Sequence, residues 1–146
     1  MSGETHDADL LVGVAELLAA EDVGTWSPTG ALPAGGTGIV LGRMPDGPDR
    51  VLALNPYPVA DDDSTDSVTG IQVRMRAGTD PLAIVQLANA VFTVLHNRRS
   101  WDAHGVQVEI SWRQSQAWIG QDSRGRMELT GNYYFRTVRP GAHLND

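Results

Sequence analysis

Apolar and polar positions alternate along residues 127–136. Met127, Leu129, Gly131, Tyr133 and Phe135 share one parity, and Glu128, Thr130, Asn132, Tyr134 and Arg136 the other. A period of two marks a strand with one buried face, so a long strand is expected over 127–138, stopped by Pro140. Asp122, Ser123, Arg124 and Gly125 supply the turn that feeds it, with Gly125 free to take positive φ. The same period recurs in 70–76, where Ile71, Val73 and Met75 oppose Gln72, Arg74 and Arg76, and again in 106–112. Two short runs, 39–42 and 50–54, flank Pro45-Asp46-Gly47-Pro48-Asp49 and read as a hairpin.

Two other segments change period. Over 8–22, Leu10, Leu11, Val14, Leu17 and Leu18 fall at helical spacing, with Asp7 as the expected N-cap and Gly24 just past the end. Over 80–97, Leu82, Val85, Ala88, Phe92 and Leu95 line one side, widened by Ile84, Leu87 and Val91. Pro81 suits the first position of that helix, where a missing N–H costs nothing. Helices set apart among meandering strands predict an α+β fold: a single mostly antiparallel sheet with two main helices packed on it. A chain of 146 residues makes one domain. Flexible segments are expected at about 27–38, which is rich in Pro and Gly, and at the Asp-rich 59–69, with short polar termini.

Composition narrows the chemistry. Cysteine is absent, which removes thiol catalysis, zinc–thiolate sites and disulfides. The apolar run 81–95 is interrupted by Gln86, Asn89 and Thr93 and is too short to span a bilayer, so no membrane association is expected. The acidic, polar N-terminus does not read as a secretory signal, and a cytosolic site of synthesis is expected. Eleven basic residues, all arginine, face 18 acidic ones, for a net charge of −7. That balance argues against a protein that grips phosphate backbones, while leaving room for one that lines a passage for DNA without adhering to it.

No catalytic or cofactor constellation emerges. The run Asp61, Asp62, Asp63, Ser64, Thr65, Asp66 lacks the spacing and closing Glu of a calcium loop, and reads as a solvated loop that orders against a partner. Gly35, Gly36 and Gly38 follow no strand and open no helix, so no nucleotide fingerprint is met. His6, His96, His104 and His143 lack metal-ligand spacing, and neither Ser115 nor Ser123 sits in a nucleophile elbow. No metal, no cofactor and no enzymatic role are expected. The aromatics point elsewhere. Tyr133 and Tyr134 are adjacent and must face opposite sides of the sheet, so one of them lies among Arg113, Arg136 and Gln107 on a surface with the composition of an interface.

The order of elements resembles the tail terminator (tail-completion, or minor capsid) proteins of phages with long non-contractile tails. The resemblance is carried by the N-terminal helix around 10–20, the strand 70–76 running into the helix 80–97, and the turn 118–126 leading into Gly131-Asn132-Tyr133-Tyr134-Phe135-Arg136, together with the overall length. It implies a structural virion protein, assembled in the host cytoplasm, that forms a ring, a hexamer by the family pattern. The ring caps the tail tube, contacts the major tail tube protein and the head-side connector, and lets DNA pass through its lumen without specific binding. The interface residues expected from the sequence are Asp61, Asp62, Asp63, Arg74, Arg76, Arg113, Tyr134 and Arg136, with Arg74 and Arg76 of one protomer meeting the Asp-rich loop of the next. The competing readings are another neck or tail component, such as a head–tail stopper or tube protein, and a small intracellular enzyme or ligand-binding domain with its site under 27–38.

Overall fold

The computed structural model describes residues 3–32 and 35–145. After a short 3₁₀ turn at Gly3–Thr5 come α1 (His6–Ala20), β1 (Thr25–Trp26), β2 (Thr37–Leu41), β3 (Arg50–Ala60), β4 (Asp66–Arg76), α2 (Pro81–Leu95), β5 (Arg98–Ala103), β6 (Val106–Gln121) and β7 (Met127–Val138). The class is α+β, with one seven-stranded sheet in the order β1-β2-β3-β4-β7-β6-β5. The sheet is mixed, which corrects the mostly antiparallel expectation: β1, β2 and β3 run parallel, and the pairs from β3 through β5 are antiparallel.

The largest departure lies between β2 and β3. The sequence 45–49 reads as a tight turn, yet residues 42–49 carry the chain back so that β3 runs alongside β2 in the same direction, Thr37 facing Arg50 and Leu41 facing Leu54. Arginines remote in sequence hold that connection by donating to its carbonyls (below), and no local pattern announces them. Strand β5 and the far half of β6 also escape the alternation, because three bulges, at 108/110, 113/115 and 118/120, break the parity of β6.

The period-two reading of β4 and β7 holds. Ile71, Val73 and Met75 are buried, as are Leu129, Tyr133 and Phe135. Leu52, Met75 and Leu129 form one cross-strand row, and Leu54, Val73 and Gly131 the next. Buried positions of both helices join these rows in one apolar cluster. On α2 the buried face is Ile84, Leu87, Ala88, Val91, Val94 and Leu95, whereas Leu82 is 65% exposed and Val85 also lies outside. The buried stripe therefore keeps the expected Ile84, Leu87, Ala88, Val91 and Leu95, gains Val94, and leaves out Leu82 and Val85.

Helix ends differ in their chemistry. Asp80 caps α2 as its Oδ1 accepts the Leu82 N–H at 2.9 Å, and Pro81 takes the first position. α1 starts one residue earlier than its expected cap, since Asp7 lies inside the helix and Thr5 precedes it without a side-chain cap bond. The Asp7 carboxylate instead meets His6 Nδ1 at 2.7 Å and Arg139 at 3.1 Å, and the buried His6 ring bonds Thr137 through Nε2 at 2.8 Å. These contacts tie the start of α1 to the end of β7.

Gly13 lets α1 approach β5: a Cβ there would lie 2.4 Å from the Ala103 backbone. An alanine inside a helix ordinarily gains about 1 kcal/mol over glycine. Here Gly13→Ala should destabilise, by about 1–3 kcal/mol as overpacked sites do, read as a lower urea midpoint; a raised midpoint would refute the close approach. A second expectation concerns Tyr133, whose hydroxyl is buried with no hydrogen-bond partner among the described residues. Burial pushes its pKa up from 10.0 to about 12, against a smaller opposing effect of Arg113. A raised folded-state pKa means the contribution of the neutral phenol is full below pH 10 and is lost as pH rises through about 12. Wild type should thus lose stability relative to Tyr133→Phe across that window, and parallel pH profiles for the two proteins would contradict it.

Candidate assembly surface

The second face of the sheet is built by the other parity of the same strands. Tyr134 follows the buried Tyr133 and so projects to this side, where it is half-buried. Its ring meets Tyr57 edge-on at 6.5 Å and Trp112 at 5.8 Å. Gly70 makes room for the Tyr57 ring, because a Cβ at that position would lie 2.4 Å from the ring carbon Cζ. Tyr57, Tyr134 and Trp112 thus form an aromatic row across β3, β7 and β6, over Gly70 of β4. Aromatic pairs in this geometry add about 0.5–1.5 kcal/mol beyond the area they bury. Burial holds the Tyr57 hydroxyl above its ordinary pKa, with a further push from Tyr134. Tyr134 is among the residues expected from the sequence, whereas Tyr57 is not, since only the cross-strand register brings these rings together.

Charged residues on this face are paired within the protomer. Arg74 Nε donates to Glu128 Oε1 at 2.7 Å, and Arg136 lies 3.8 Å from Asp66. Arg76 differs from its neighbours. It is 3% exposed, and its guanidinium donates to the carbonyls of Pro48 at 2.6 Å and Asp49 at 3.1 Å. Burial lowers its pKa, helped by Arg126 and opposed by Asp122, Glu128 and Asp49. Any role of Arg76 at an interface therefore runs through the 42–49 connection that it holds.

Arg126, absent from the expected residues, completes that hold. Its Nη1 donates to the Asp46 carbonyl at 2.6 Å and to Asp49 Oδ1 at 3.3 Å, while Nε donates to Asp122 Oδ2 at 2.7 Å. Asp122 Oδ1 also accepts the N–H groups of Arg124 and Arg126, which closes the turn before β7. Burial works to raise the Asp122 pKa, but the hydrogen bonds from Arg126 and Arg124 outweigh it and the net shift is downward. On Arg126 burial is likewise outweighed, by Asp122 and then Asp49, and its pKa rises. The one sequence signal was the unusual Asp122-x-x-x-Arg126 spacing around a glycine turn.

The acidic turn between β3 and β4 leaves Asp61, Asp62 and Asp63 exposed. Asp62 Oδ1 accepts the Ser64 N–H and hydroxyl, both at 2.8 Å, and these bonds lower its pKa. The turn is fastened to the chain's own tail: Thr65 N–H donates to the Asn145 carbonyl at 2.9 Å, Asn145 N–H to Asp63 at 2.8 Å, and Arg139 N–H to Thr65 at 2.7 Å. Arg113 lies far across the sheet on β6, in the row of the buried Tyr133 and on the side of α2, not beside Tyr134 as expected. Its guanidinium stacks 4.3 Å over the Phe92 ring, and its backbone N–H donates to His96 Nδ1 at 3.1 Å. The protomer therefore brings Arg74 beside Arg76 but keeps Arg113 apart from Asp61–Asp63. Among the described residues no group of three or more His, Asp or Glu side chains is placed to hold a metal ion, and no helix is long and apolar enough to cross a membrane.

Comparison with known proteins places this geometry. No curated protein matches the sequence. A chain of the virion of a native gene transfer agent particle shares the fold, with a TM-score of 0.50 at 13% identity over 68% of this chain and 78% of its own. A second solved chain, 14% identical over 70% of this chain and 81% of its own, has a TM-score of 0.46. At the level of sequence, residues 17–139 match the family of bacteriophage tail terminator proteins, a span that contains every strand and α2. The chain belongs to the bacteriophage tail terminator family and is a structural component of the virion tail.

Proposed function

We propose that the protein caps the tail tube as a closed ring, a hexamer, and joins it to the head-side connector, acting through surfaces and without catalysis. Buried positions of both helices join the cluster that holds Ile71, Val73 and Met75, and the half-buried Tyr57, Tyr134 and Trp112 stand on the other face, beyond the part that the 42–49 connection covers. The observation that carries the reading is the aromatic row of Tyr57, Tyr134 and Trp112 on that face. Tyr and Trp concentrate at the centres of protein interfaces, and Arg74 and Arg136 frame this row as a polar rim.

Charge supports the passage of DNA. With 18 acidic residues against 11 arginines, and with Arg74, Arg126, Arg136 and Arg139 each in an ion pair within the protomer, the surface offers little to condense on phosphates. The exposed Asp61, Asp62 and Asp63 have no ion pair within the described residues, so they remain available to arginines of a neighbouring subunit, Arg113 among them.

Sedimentation of the purified protein, alone and with the major tail tube protein, tests the ring. A strict monomer under both conditions would sink it. Tyr134→Ala should keep the fold and weaken assembly by about 2 kcal/mol, the scale of an interface hot spot, seen as a roughly 30-fold higher concentration for half-assembly. Unchanged assembly of that variant would remove the aromatic row from the interface.

A further inference from the structure

The direction of each backbone group across the sheet can be assigned by counting. Facing pairs in an antiparallel ladder alternate between hydrogen-bonded and non-bonded. Pro56 and Pro58 have no N–H and face Ile71 and Thr69 of β4, so these pairs are non-bonded and both rings lie on the outer side of β3. Ile71 then turns its backbone toward β7 and bonds Tyr133, which leaves Tyr133 and Arg113 as a non-bonded pair. Two bonds outside the ladder check the count. The Arg113 N–H goes to His96 and not to β7. Met127, of the same parity as Tyr133, donates to the Gly78 carbonyl and accepts the Ala77 N–H, on the side away from β6. Gly131 and Leu129 share that parity, so their partners Gln116 and Trp118 also direct N–H and C=O away from β7.

Nothing in the sheet covers these groups. β5 pairs with β6 only as far as Ser111, and the four residues from Gln116 to Ile119 are all exposed. Trp118 and Ile119 are 58% and 51% exposed, although both are large and apolar. Trp118 faces the buried Leu129, so its ring stands on the side of α2. That helix starts beyond Gly78, beside the first residue of β7, and ends where His96 takes the Arg113 N–H. Its exposed Leu82 and Val85 therefore lie toward the end of the sheet that bears Trp118. Charge is missing from this corner. Residues 81–97 carry no Asp, Glu or Arg, and 110–121 carry only Arg113, although 20% of the chain is charged. Exposed apolar side chains with few charges among them have the composition of an interface centre.

We propose that this open stretch of β6 takes an extended segment of the tail tube protein as an added strand. The segment bonds the backbone of Gln116 and Trp118 and sets uncharged, apolar side chains against Trp118 and the start of α2, the mode in which a sheet edge recognises an extended chain. The inference rests on the capping reading above and specifies its contact with the tube. Two properties of the sheet select the tube as occupant. A protein that ends a polymer must accept the last subunit and offer no equivalent surface onward. β6 accepts. On β3, past Leu54 where β2 stops, the outward positions hold the rings of Pro56 and Pro58 beside the exposed Asp61, Asp62 and Asp63, so a further strand is refused. The second property is that this chain has no strand of its own for the place. Among the described residues, β3 is blocked, β1 has two residues, and β5 is interrupted at Ser100, where φ is +51°. Self-pairing of β6 about a two-fold axis would close as a dimer and leave no edge for the tube.

The test uses the full chain and tubes polymerised from the major tail tube protein. Binding is read by cosedimentation, and amide hydrogen exchange is read on the wild-type chain, alone and on tubes. Exchange at Gln116 and Trp118 should slow at least tenfold on tubes. Gln116→Pro places a ring on the outer side of β6, as Pro56 does on β3, without removing a bond to β7. It should keep the circular dichroism and self-assembly of the wild type and bind tubes at least tenfold more weakly. Trp118→Glu, which puts a charge into the uncharged corner, should do the same. Wild-type tube binding by Gln116→Pro, or unchanged exchange at Gln116 and Trp118 on tubes, overturns the added strand while leaving the cap and the ring intact. Protection of those two amides in self-assembled protein without tubes would show a second copy on the edge, which also overturns it. Wild type that binds no tube would remove the capping reading and the added strand together.

Discussion

One row of residues fixes both faces of this sheet: Pro56, Ile71, Tyr133 and Arg113, facing one another across β3, β4, β7 and β6. Side chains alternate by strict parity along β4 and β7, so the position of Tyr133 in the core obliges Tyr134 to leave it. The same parity governs peptide direction. Proline at 56 demands that its edge face outward, and the His96 bond to Arg113 is what the opposite end of that row then requires. A slip of one residue between β4 and β7 would bury Arg74 and Gln72 and expose Ile71 and Val73. The cost of such a slip is why the register is unique.

A second, polar device lets the parallel strands exist. Bringing β3 back beside β2 through eight residues leaves carbonyls of the connection without partners in the sheet, and buried carbonyls without donors are costly. Arg76 and Arg126 reach them from β4 and from the start of β7. A buried guanidinium with no partner would cost several kcal/mol, yet here carbonyls and carboxylates occupy the donors. Removing Arg76 leaves two carbonyls of the connection without their donor, and removing Arg126 leaves a carbonyl and the Asp122 carboxylate without theirs. The turn Asp122-Ser123-Arg124-Gly125 belongs to the same device, because Asp122 holds the Arg126 guanidinium that holds Asp46.

What the sequence revealed follows the range of the forces involved. β4, β7 and α2 were legible because their periods of 2 and 3.6 report burial directly, and the Asp80–Pro81 cap is a local signal. The parallel pairing of β2 with β3 was not, since guanidiniums some thirty and eighty residues away determine it. β6 read as ending at Trp112 because three bulges scramble its parity, although the strand continues to Gln121. The split of Tyr133 and Tyr134 was legible from adjacency alone, whereas Tyr57 and Trp112 required register. Arg76 shows the reverse error: in sequence it matches Arg74, but at the end of β4 it meets the 46–49 connection and is buried.

The open stretches of β3 past Leu54 and of β6 past Ser111 are guarded unequally. An exposed, unguarded strand edge is an aggregation hazard, and proteins blunt such edges with proline, charge or cover. β3 is blunted by two prolines and by the acidic turn that follows it, and two copies brought together at these edges would oppose Asp61–Asp63 against each other. β6 is guarded only by Arg113, with Trp118 and Ile119 left bare. A symmetric pair of open edges would allow unlimited sheet growth in either direction. With Pro56 and Pro58 at its outward-facing positions and carboxylates beside it, β3 resists extension by a further strand, which leaves β6 as the less guarded edge.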